Sequence, residues 1–196
     1  ALQQACHGNF AIIRTCVSRN FHSIHADRVY RSAQPMVHDL EDYTKRYDIS
    51  LIINLRDEIQ THDKYKELWH QLATKIEQLA DADMHITMIN VPLNNNVIIN
   101  SLHLEHLLLL IERIKEAPGA TLIHCESGSS RTGLMCALYA IEVQNTSLKE
   151  ALEHLDIDKY FHIERLYPNV KHFIRVWFKL RRTKNLHFVS AYSHFL

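Results

Sequence analysis

Cysteine and glycine are scarce in this sequence, with four of each among 196 residues. Four cysteines are too few for a disulfide framework, so the chain has to fold around its own hydrophobic core. A length of 196 residues is enough for one domain with such a core. Apolar runs such as LLLLI at 107–111 are far shorter than the ~20 residues of a membrane-spanning helix. The sequence therefore predicts one globular domain without a membrane span.

An excess of charge is also absent, since 22 Lys and Arg residues balance 22 Asp and Glu residues. No overall field attracts nucleic acid or anionic membranes, so neither is an expected partner and any anion site must be local. The 15 His and four Cys form no CxxC pair and no clear set of metal ligands on one helix, so we expect no metal site. Cys6 and Cys16 are read as reduced thiols, which favours a reducing compartment, and a disulfide between them is the alternative.

Strand-like and helix-like segments alternate along the chain. This alternation predicts a three-layer α/β fold, with a central, mainly parallel sheet of four to five strands flanked by helices. We expect a single domain with a core at about 28–182, an N-terminal extension at 1–27 and a tail at 183–196. The predicted strands are 28–32, 50–55, 85–91 and 120–124. The predicted helices are 37–47, 63–79, 101–116, 132–143, one opened by the capping box of Ser147 and Glu150, and a closing helix carrying Val170, Phe173, Ile174, Trp177 and Phe178.

The carboxyl ends of parallel strands are where ligands bind in such sheets. Three polar segments follow the predicted strands at this edge: 56–58, 92–96 and the loop that begins at Cys125. The loop lies in LIHCESGSSR at 122–131, between a buried strand and a nearly all-apolar helix. Its position predicts that it belongs to the functional site.

The residue types of this loop suit the binding of a phosphate group. A tight turn between a strand and a helix N-terminus aims successive backbone N–H groups inward, and Gly128 permits that turn. Arg131 adds a planar fork that matches two phosphate oxygens. The same donors lower the pKa of Cys125, so its thiolate would lie at the base of the cradle as a nucleophile. The predicted phosphate-binding residues are Glu126, Ser127, Gly128, Ser129, Ser130 and Arg131.

Two neighbours of the loop have supporting roles in this interpretation. His124 would orient the loop by hydrogen bonding, and Thr132 would hydrogen-bond the sulfur and help it to leave a phosphocysteine. The alternative is a structural pair, with a buried Cys125 and with Arg131 in a stabilising ion pair. The combined pattern HC-x2-G-x2-RTG, between a strand and a helix, favours the functional interpretation.

HCESGSSRTG resembles the signature loop of cysteine-dependent protein tyrosine and dual-specificity phosphatases. VYRSAQP at 29–35, LIINLRDE at 51–58 and EALEHL at 150–155 are similar to segments of small, atypical dual-specificity phosphatases of bacteria, fungi and plants. The resemblance implies a tyrosine-phosphatase-like fold with no metal or organic cofactor. It also implies that Cys125 is the nucleophile, Arg131 the phosphate clamp and Thr132 the residue that assists turnover.

One departure from the family concerns the general acid. Members usually carry an Asp about thirty residues before the Cys, but here that place reads VPLNNNV, with Asn94, Asn95 and Asn96 in a possible substrate loop. An amide does not donate a proton as a carboxylic acid does, and general acids contribute about 10²–10⁴-fold in rate. The candidates for a substitute are Asp57, Glu58 and Glu126, with Asp57 preferred. The alternatives are that these carboxylates are structural, and Asn95 could still position water.

The expected substrate is a phosphorylated protein, phosphotyrosine first, or a small phosphomonoester. The cradle carries no Lys or His, and Glu126 adds a negative charge, which disfavours highly charged substrates. An inositol-phosphate or phosphoinositide phosphatase is the alternative, because HCE-x-G also resembles the loop of bacterial cysteine phytases. Such an enzyme would need Arg28, Arg31, Arg56 or Lys64 to face the site. A pseudophosphatase that binds phosphate without turnover is the alternative outside enzymology.

Overall fold

A central sheet of five strands organises the computed structural model, which describes residues 19–56, 63–81, 84–93 and 101–182. Its spatial order is β1-β2-β5-β3-β4, and only the pairing of β1 with β2 is antiparallel. The strands are β1 (His22–His25), β2 (Val29–Ser32), β3 (Ile49–Asn54), β4 (Thr87–Asn90) and β5 (Ala120–His124). The predicted sheet, with four to five mainly parallel strands, is confirmed.

Helices lie on both faces of this sheet and complete three layers. The helices are α1 (Val37–Tyr47), α2 (Asp63–Asp81), α3 (Ser101–Glu116), α4 (Ser130–Glu142), α5 (Leu148–Leu152), α6 (Ile157–Tyr160) and α7 (Pro168–Arg182), with a 3₁₀ turn at Glu153–Leu155. Alternate residues of each strand point to opposite faces, which is why two separate cores form. Ile53 packs with α3, α4, α5 and α7, whereas its neighbour Ile52 packs with α1 and α2.

The central helix α4 is buried from Ser130 to Ile141. Its sequence is apolar all round because it lies between the sheet and the neighbouring helices α5 and α7. Trp177 on α7 is fully buried and donates from Nε1 to Glu142 at the end of α4 (2.7 Å). The helix that follows the loop is therefore held rigidly on both sides.

Two elements differ from the sequence prediction. Strand β1 lies within the segment assigned to an N-terminal extension, and its four residues give too short a signal for a periodicity argument. The helix predicted over 148–155 ends at Leu152 and continues as the 3₁₀ turn, although Ser147 and Glu150 form the predicted capping box. The other predicted strands and helices are present.

Backbone hydrogen bonds tie together the ends of three neighbouring strands. The amide of Leu55 donates to His124 O (2.9 Å), and the amide of Leu93 donates to Leu55 O (3.1 Å). The segments after β3, β4 and β5 therefore meet at the carboxyl edge of the sheet, as the sequence predicts. In the described part of the chain, no helix has the length and apolarity needed to cross a bilayer.

Gly133, in the first turn of α4, marks the closest approach of that helix to the 3₁₀ turn. A Cβ at this position would lie 2.6 Å from Leu155 Cδ2 and 2.7 Å from His154 O. The second contact is to backbone, which cannot move as a flexible side chain does. A glycine is therefore required here by packing.

We expect Gly133→Ala to destabilise the fold by about 1–3 kcal/mol, because overpacking outweighs the higher helix propensity of alanine. Urea unfolding followed by circular dichroism would measure the change. A variant as stable as the wild type, or more stable, would contradict this account of the helix contact.

Candidate active site

The loop from Cys125 to Ser129 connects strand β5 to helix α4. Gly128 has a φ of +69°, a conformation that side chains rarely adopt, and an added Cβ would lie 2.6 Å from the backbone of Ser32 and Ala33. The loop also pairs with the segment after β2, since the amide of Gln34 donates to Glu126 O (2.9 Å). Gly128 is therefore needed both for the turn and for the close approach of β2.

Cys125 lies at the base of this loop and is 1% exposed. Burial by itself raises the pKa of the thiol. The charge of Arg131 and hydrogen bonds from the Thr132 side chain, the Thr132 amide and the Gly128 amide oppose that effect, and the net pKa lies below 9.0. The hydroxyl of Thr132 lies 3.0 Å from the sulfur. The three residues that the sequence grouped with Cys125 are thus brought together around it.

Arg131 extends from the first turn of α4 towards the segment after β4. It is 3% exposed, and its Nη1 donates to Leu93 O (3.5 Å). Two segments separated by 38 residues are therefore linked through one guanidinium. The Arg131 guanidinium therefore places a positive charge at the carboxyl edge of the sheet, where the loop begins.

His124 is buried under the loop, and the same burial lowers its pKa to about 4. A hydrogen bond to the Cys125 carbonyl opposes this shift, whereas the charges of Arg56 and Arg131 add to it. The imidazole is therefore neutral at pH 7, and its Nδ1–H donates to Cys125 O (3.2 Å). A neutral donor in this position suits the orientation of the loop.

Glu126 is the exposed residue of the loop, with 51% of its side chain in solvent. Arg56 is buried beside it, and the closest contact between their charged groups is 3.7 Å. Arg56 also donates from Nη1 to Gln34 Oε1 (3.2 Å). This ion pair agrees with the alternative in which Glu126 has a structural role.

The hydroxyl groups of Ser129 and Ser130 point away from the sulfur. Ser129 donates to Tyr160 O (2.7 Å), and Ser130 shares a hydrogen bond with His162 Nδ1 (3.0 Å). Both hydroxyls are buried in these contacts, so only the backbone amides of the two residues are placed to serve an anion. The side chains hold the rear of the loop against the end of α6 and the segment that follows it.

Several predicted site residues fall outside the described ranges: Asp57, Glu58, Asn94, Asn95 and Asn96, with Cys6 and Cys16. Lys64 is the second residue of helix α2, and its side chain is not among those described. Arg28 and Arg31 are described, and both donate hydrogen bonds to backbone carbonyl groups. Arg28 donates to Ala117 O and Lys115 O at the opposite end of the sheet, and Arg31 lies behind the loop.

Sequence reasoning missed the residues that hold the loop from behind. They are Asn20, His154, Tyr160 and His162. All but His154 lie outside the stretch 29–155 that carries the resemblance, and their spacing along the chain follows no pattern. In the ranges that the structure describes, no group of His, Cys, Asp or Glu side chains is arranged to hold a metal ion.

The profile of the dual specificity phosphatase catalytic domain matches residues 29–178, which is most of the chain and includes the whole loop. The chain belongs to the dual-specificity phosphatase family. Among curated members of the family, dual specificity protein phosphatase 5 of Rattus norvegicus is 27% identical over 84 residues. That match covers 43% of this chain and 22% of the relative, so it spans only about a fifth of the relative's length.

Solved structures of other phosphatases share this fold. TpbA of P. aeruginosa in complex with pTyr has a TM-score of 0.59 at 20% identity, over 81% of this chain and 84% of that one. The PP-IP phosphatase SIW14 of S. cerevisiae has a TM-score of 0.55 at 23% identity, over 80% and 83%. PTPMT1 in complex with PI(5)P has a TM-score of 0.54 at 18% identity, over 83% and 98%. At these identities the likeness shows the fold, and the tyrosine-phosphatase-like fold that the resemblance implied is confirmed.

Two histidines behind the loop, the buried His162 and the half-buried His154, make the fold sensitive to acid. Burial, together with nearby cations, lowers the pKa of His154 and of His162 to about 4. Unfolded histidine has a pKa of about 6.5, so the unfolded chain takes up protons between these values that the folded chain does not. Stability is therefore unaffected above about pH 6.5 and falls as the pH drops towards about 4.

We expect the urea midpoint to fall between about pH 6.5 and about pH 5, and His162→Gln to reduce that slope because one buried base is removed. Glutamine can still hydrogen-bond Ser130. His172→Gln on the exposed face of α7 is the matched control and should keep the wild-type slope. Equal slopes for all three proteins would show that His162 is not a source of the acid sensitivity.

Proposed function

We propose that this chain hydrolyses phosphomonoesters through a phosphocysteine intermediate, with Cys125 as the nucleophile. The observation that carries the proposal is the environment of the sulfur. A buried thiol whose pKa is lowered by Arg131, Thr132 and the amide of Gly128 forms a thiolate more readily than a free cysteine. A thiolate below inward amides and a guanidinium is placed to attack phosphorus.

The first step forms a sulfur–phosphorus bond and breaks the bond between phosphorus and the ester oxygen. The leaving oxygen takes up a proton and departs as an alcohol or phenol. Arg131 and the amides of residues 126–131 stabilise the charge on the equatorial oxygens of the transition state. In the second step water attacks phosphorus, the sulfur–phosphorus bond breaks, and inorganic phosphate and the thiolate are released. The hydroxyl of Thr132, 3.0 Å from the sulfur, stabilises the thiolate as it leaves.

The proton for the leaving group is assigned to Asp57, with Glu58 and Glu126 as the other candidates. Asp57 directly follows Arg56, whose guanidinium lies beside the loop. The carboxylate of Glu126 is already engaged with Arg56, whose Nη2 lies 3.7 Å from its Oε1. The contact therefore supports Asp57 over Glu126.

A singly phosphorylated substrate, with phosphotyrosine first, is supported by the positions of the cations. Arg28 is at the far end of the sheet, and Arg31 is buried behind the loop with its fork turned to carbonyl groups. Arg56 is the remaining described candidate, and Glu126 offsets its charge. TpbA has been seen with pTyr, whereas SIW14 is a PP-IP phosphatase and PTPMT1 has been seen with PI(5)P. The inositol-phosphate alternative remains a defined outcome of the substrate test below.

We expect the wild type to hydrolyse p-nitrophenyl phosphate and Cys125→Ser to be inactive, because a hydroxyl is a far weaker nucleophile than a thiolate. Phosphate binding should persist in Cys125→Ser, since the amides and Arg131 remain. Steady-state kinetics with calorimetric titration of inorganic phosphate would measure both. If wild type and Cys125→Ser turn over equally slowly while both bind phosphate, the chain is a phosphate-binding module.

The same assay across pH identifies the general acid. Asp57→Asn should lower kcat by about 10²-fold or more and remove the basic limb of the profile, and Glu126→Gln should retain it. The effect should be smaller with p-nitrophenyl phosphate than with an alkyl phosphate, whose leaving group needs the proton more. Loss of the basic limb in Glu126→Gln alone would transfer the role to Glu126.

For substrate class, we expect kcat/KM for a phosphotyrosine peptide to exceed that for inositol hexakisphosphate by about tenfold or more, because the loop carries no cation besides Arg131 to offset extra phosphate charge. Glu126→Gln should raise the activity on inositol hexakisphosphate, because it removes the negative charge that offsets the positive charge of Arg56. Preference for inositol hexakisphosphate in the wild type would instead support the phytase-like alternative.

A further inference from the structure

The buried side-chain amide of Asn20 lies behind the loop, on the side opposite to the Cys125 sulfur. Asn20 is 1% exposed, precedes strand β1 and has a left-handed φ of 44°. Its Nδ2 lies 3.1 Å from Ser127 O, 3.1 Å from Gly128 O and 3.3 Å from Tyr160 O. One side chain therefore serves carbonyl groups of two segments that are more than 100 residues away in sequence.

His22 determines which end of this amide faces the loop. Its Nε2 lies 3.0 Å from Asn20 Oδ1, which can only accept, so the imidazole N–H is the donor. Burial lowers the pKa of His22, as do the charges of Arg31 and Lys159, which keeps the ring neutral and able to hold one such tautomer. With its oxygen engaged, Asn20 presents its NH₂ group to the loop.

Because a peptide group is planar, these contacts also determine where the backbone amides of the loop point. In a trans peptide the C=O and N–H bonds point in opposite directions, so fixing one fixes the other. The carbonyl of Ser127 and the amide of Gly128 belong to one peptide group. The carbonyl is held by Asn20, and the N–H is directed at the Cys125 sulfur. Asn20 therefore acts on the sulfur through a peptide group that it holds from behind.

Arg31 continues the same arrangement along the loop. Its Nη2 donates to Gly128 O (2.7 Å) and Ser129 O (3.2 Å), and its Nη1 donates to His154 O (2.9 Å). The guanidinium carbon lies 3.7 Å from the centre of the Tyr160 ring, which restrains it further. Asn20 and Arg31 together hold the carbonyl groups of residues 127–129 on the rear side of the loop. The amides of Gly128, Ser129 and Ser130 therefore face the opposite side.

Asparagine suits position 20 for two physical reasons. It tolerates the left-handed conformation better than other residues with a Cβ, and its amide supplies two hydrogens for the three nearby carbonyls. Glycine would accept the same backbone conformation and supply no donor. Aspartate would match the shape and replace the donor by a negative charge. The position therefore offers variants that separate backbone, donor and charge.

We propose that Asn20 is a positioning residue for the phosphate-binding loop, which it serves by turning the amides of Gly128 and Ser129 towards the sulfur and the phosphate. The proposal rests on the proposed function of Cys125 as a thiolate nucleophile. Asn20 does not touch the reacting atoms. Its effect is transmitted through the peptide groups that it holds.

The test compares Asn20→Gly with Asn145→Gly. Asn145 is also left-handed, with a φ of 54°, but it is exposed in the turn after α4, so it controls for the backbone effect. The rate at which iodoacetamide alkylates Cys125, followed by mass spectrometry across pH, reports the pKa of that thiol without requiring turnover. We expect Asn20→Gly to raise this pKa by about one unit, which slows alkylation about tenfold below the pKa. Asn145→Gly should match the wild type.

Binding of inorganic phosphate supplies the second measurement. In a Cys125→Ser background, Asn20→Gly should weaken phosphate binding by about tenfold, whereas Asn145→Gly should not, because only the first change releases amides of the cradle. Asn20→Asp should raise the pKa of Cys125 at least as much as Asn20→Gly does, since it adds a negative charge. A merely structural role would lower the unfolding midpoint without moving either quantity.

The outcomes distinguish this proposal from the proposed function. A folded Asn20→Gly protein with wild-type alkylation and wild-type phosphate binding would overturn the positioning role. A raised pKa in Asn20→Asp with a normal pKa in Asn20→Gly would also overturn it, because charge alone would then explain the effect. Absence of turnover in the wild type would remove the proposed function and leave both measurements readable.

Discussion

The rest of the site depends on the direction of a few peptide groups in the loop after β5. An amide can face an anion only if the carbonyl of the same peptide group finds a donor on the opposite side, because a buried carbonyl without one is costly. Here Asn20, two residues before β1, and Arg31 in β2 supply those donors. This requirement gives a role to an antiparallel edge strand that a mainly parallel sheet does not otherwise need.

The helix that follows the loop is held by the same packing. Gly133 lets α4 lie close to His154 O, the same carbonyl that accepts a hydrogen bond from Arg31. The rear of the loop and the start of the helix therefore share one contact region. Neutral histidines complete this region, since desolvation, together with nearby cations, lowers the pKa of His154 and of His162 to about 4. A buried cation surrounded by carbonyl groups and neutral rings stabilises the loop without placing a negative charge near the sulfur.

The positive charge around Cys125 is a local feature of the loop. The chain has no net charge at pH 7, yet the sulfur of Cys125 lies near Arg131 and the inward amides, and its pKa falls despite full burial. Glu126 limits how far this positive region extends, since its carboxylate faces Arg56 at the exposed rim. The proposed preference for a singly phosphorylated substrate rests on this arrangement.

The sequence by itself determined the parallel sheet and the loop with Cys125, Gly128 and Arg131, because hydrophobic periodicity and a contiguous motif are local properties of the chain. It also pointed to Thr132, which lies seven residues from Cys125 on the first turn of the next helix. Only the tertiary structure decided that Arg31 lies behind the loop and that the hydroxyls of Ser129 and Ser130 point away from the sulfur. It alone brought Asn20 to the loop, across 108 residues of sequence, because such a contact follows from how strands are ordered in the sheet and leaves no periodic trace along the chain.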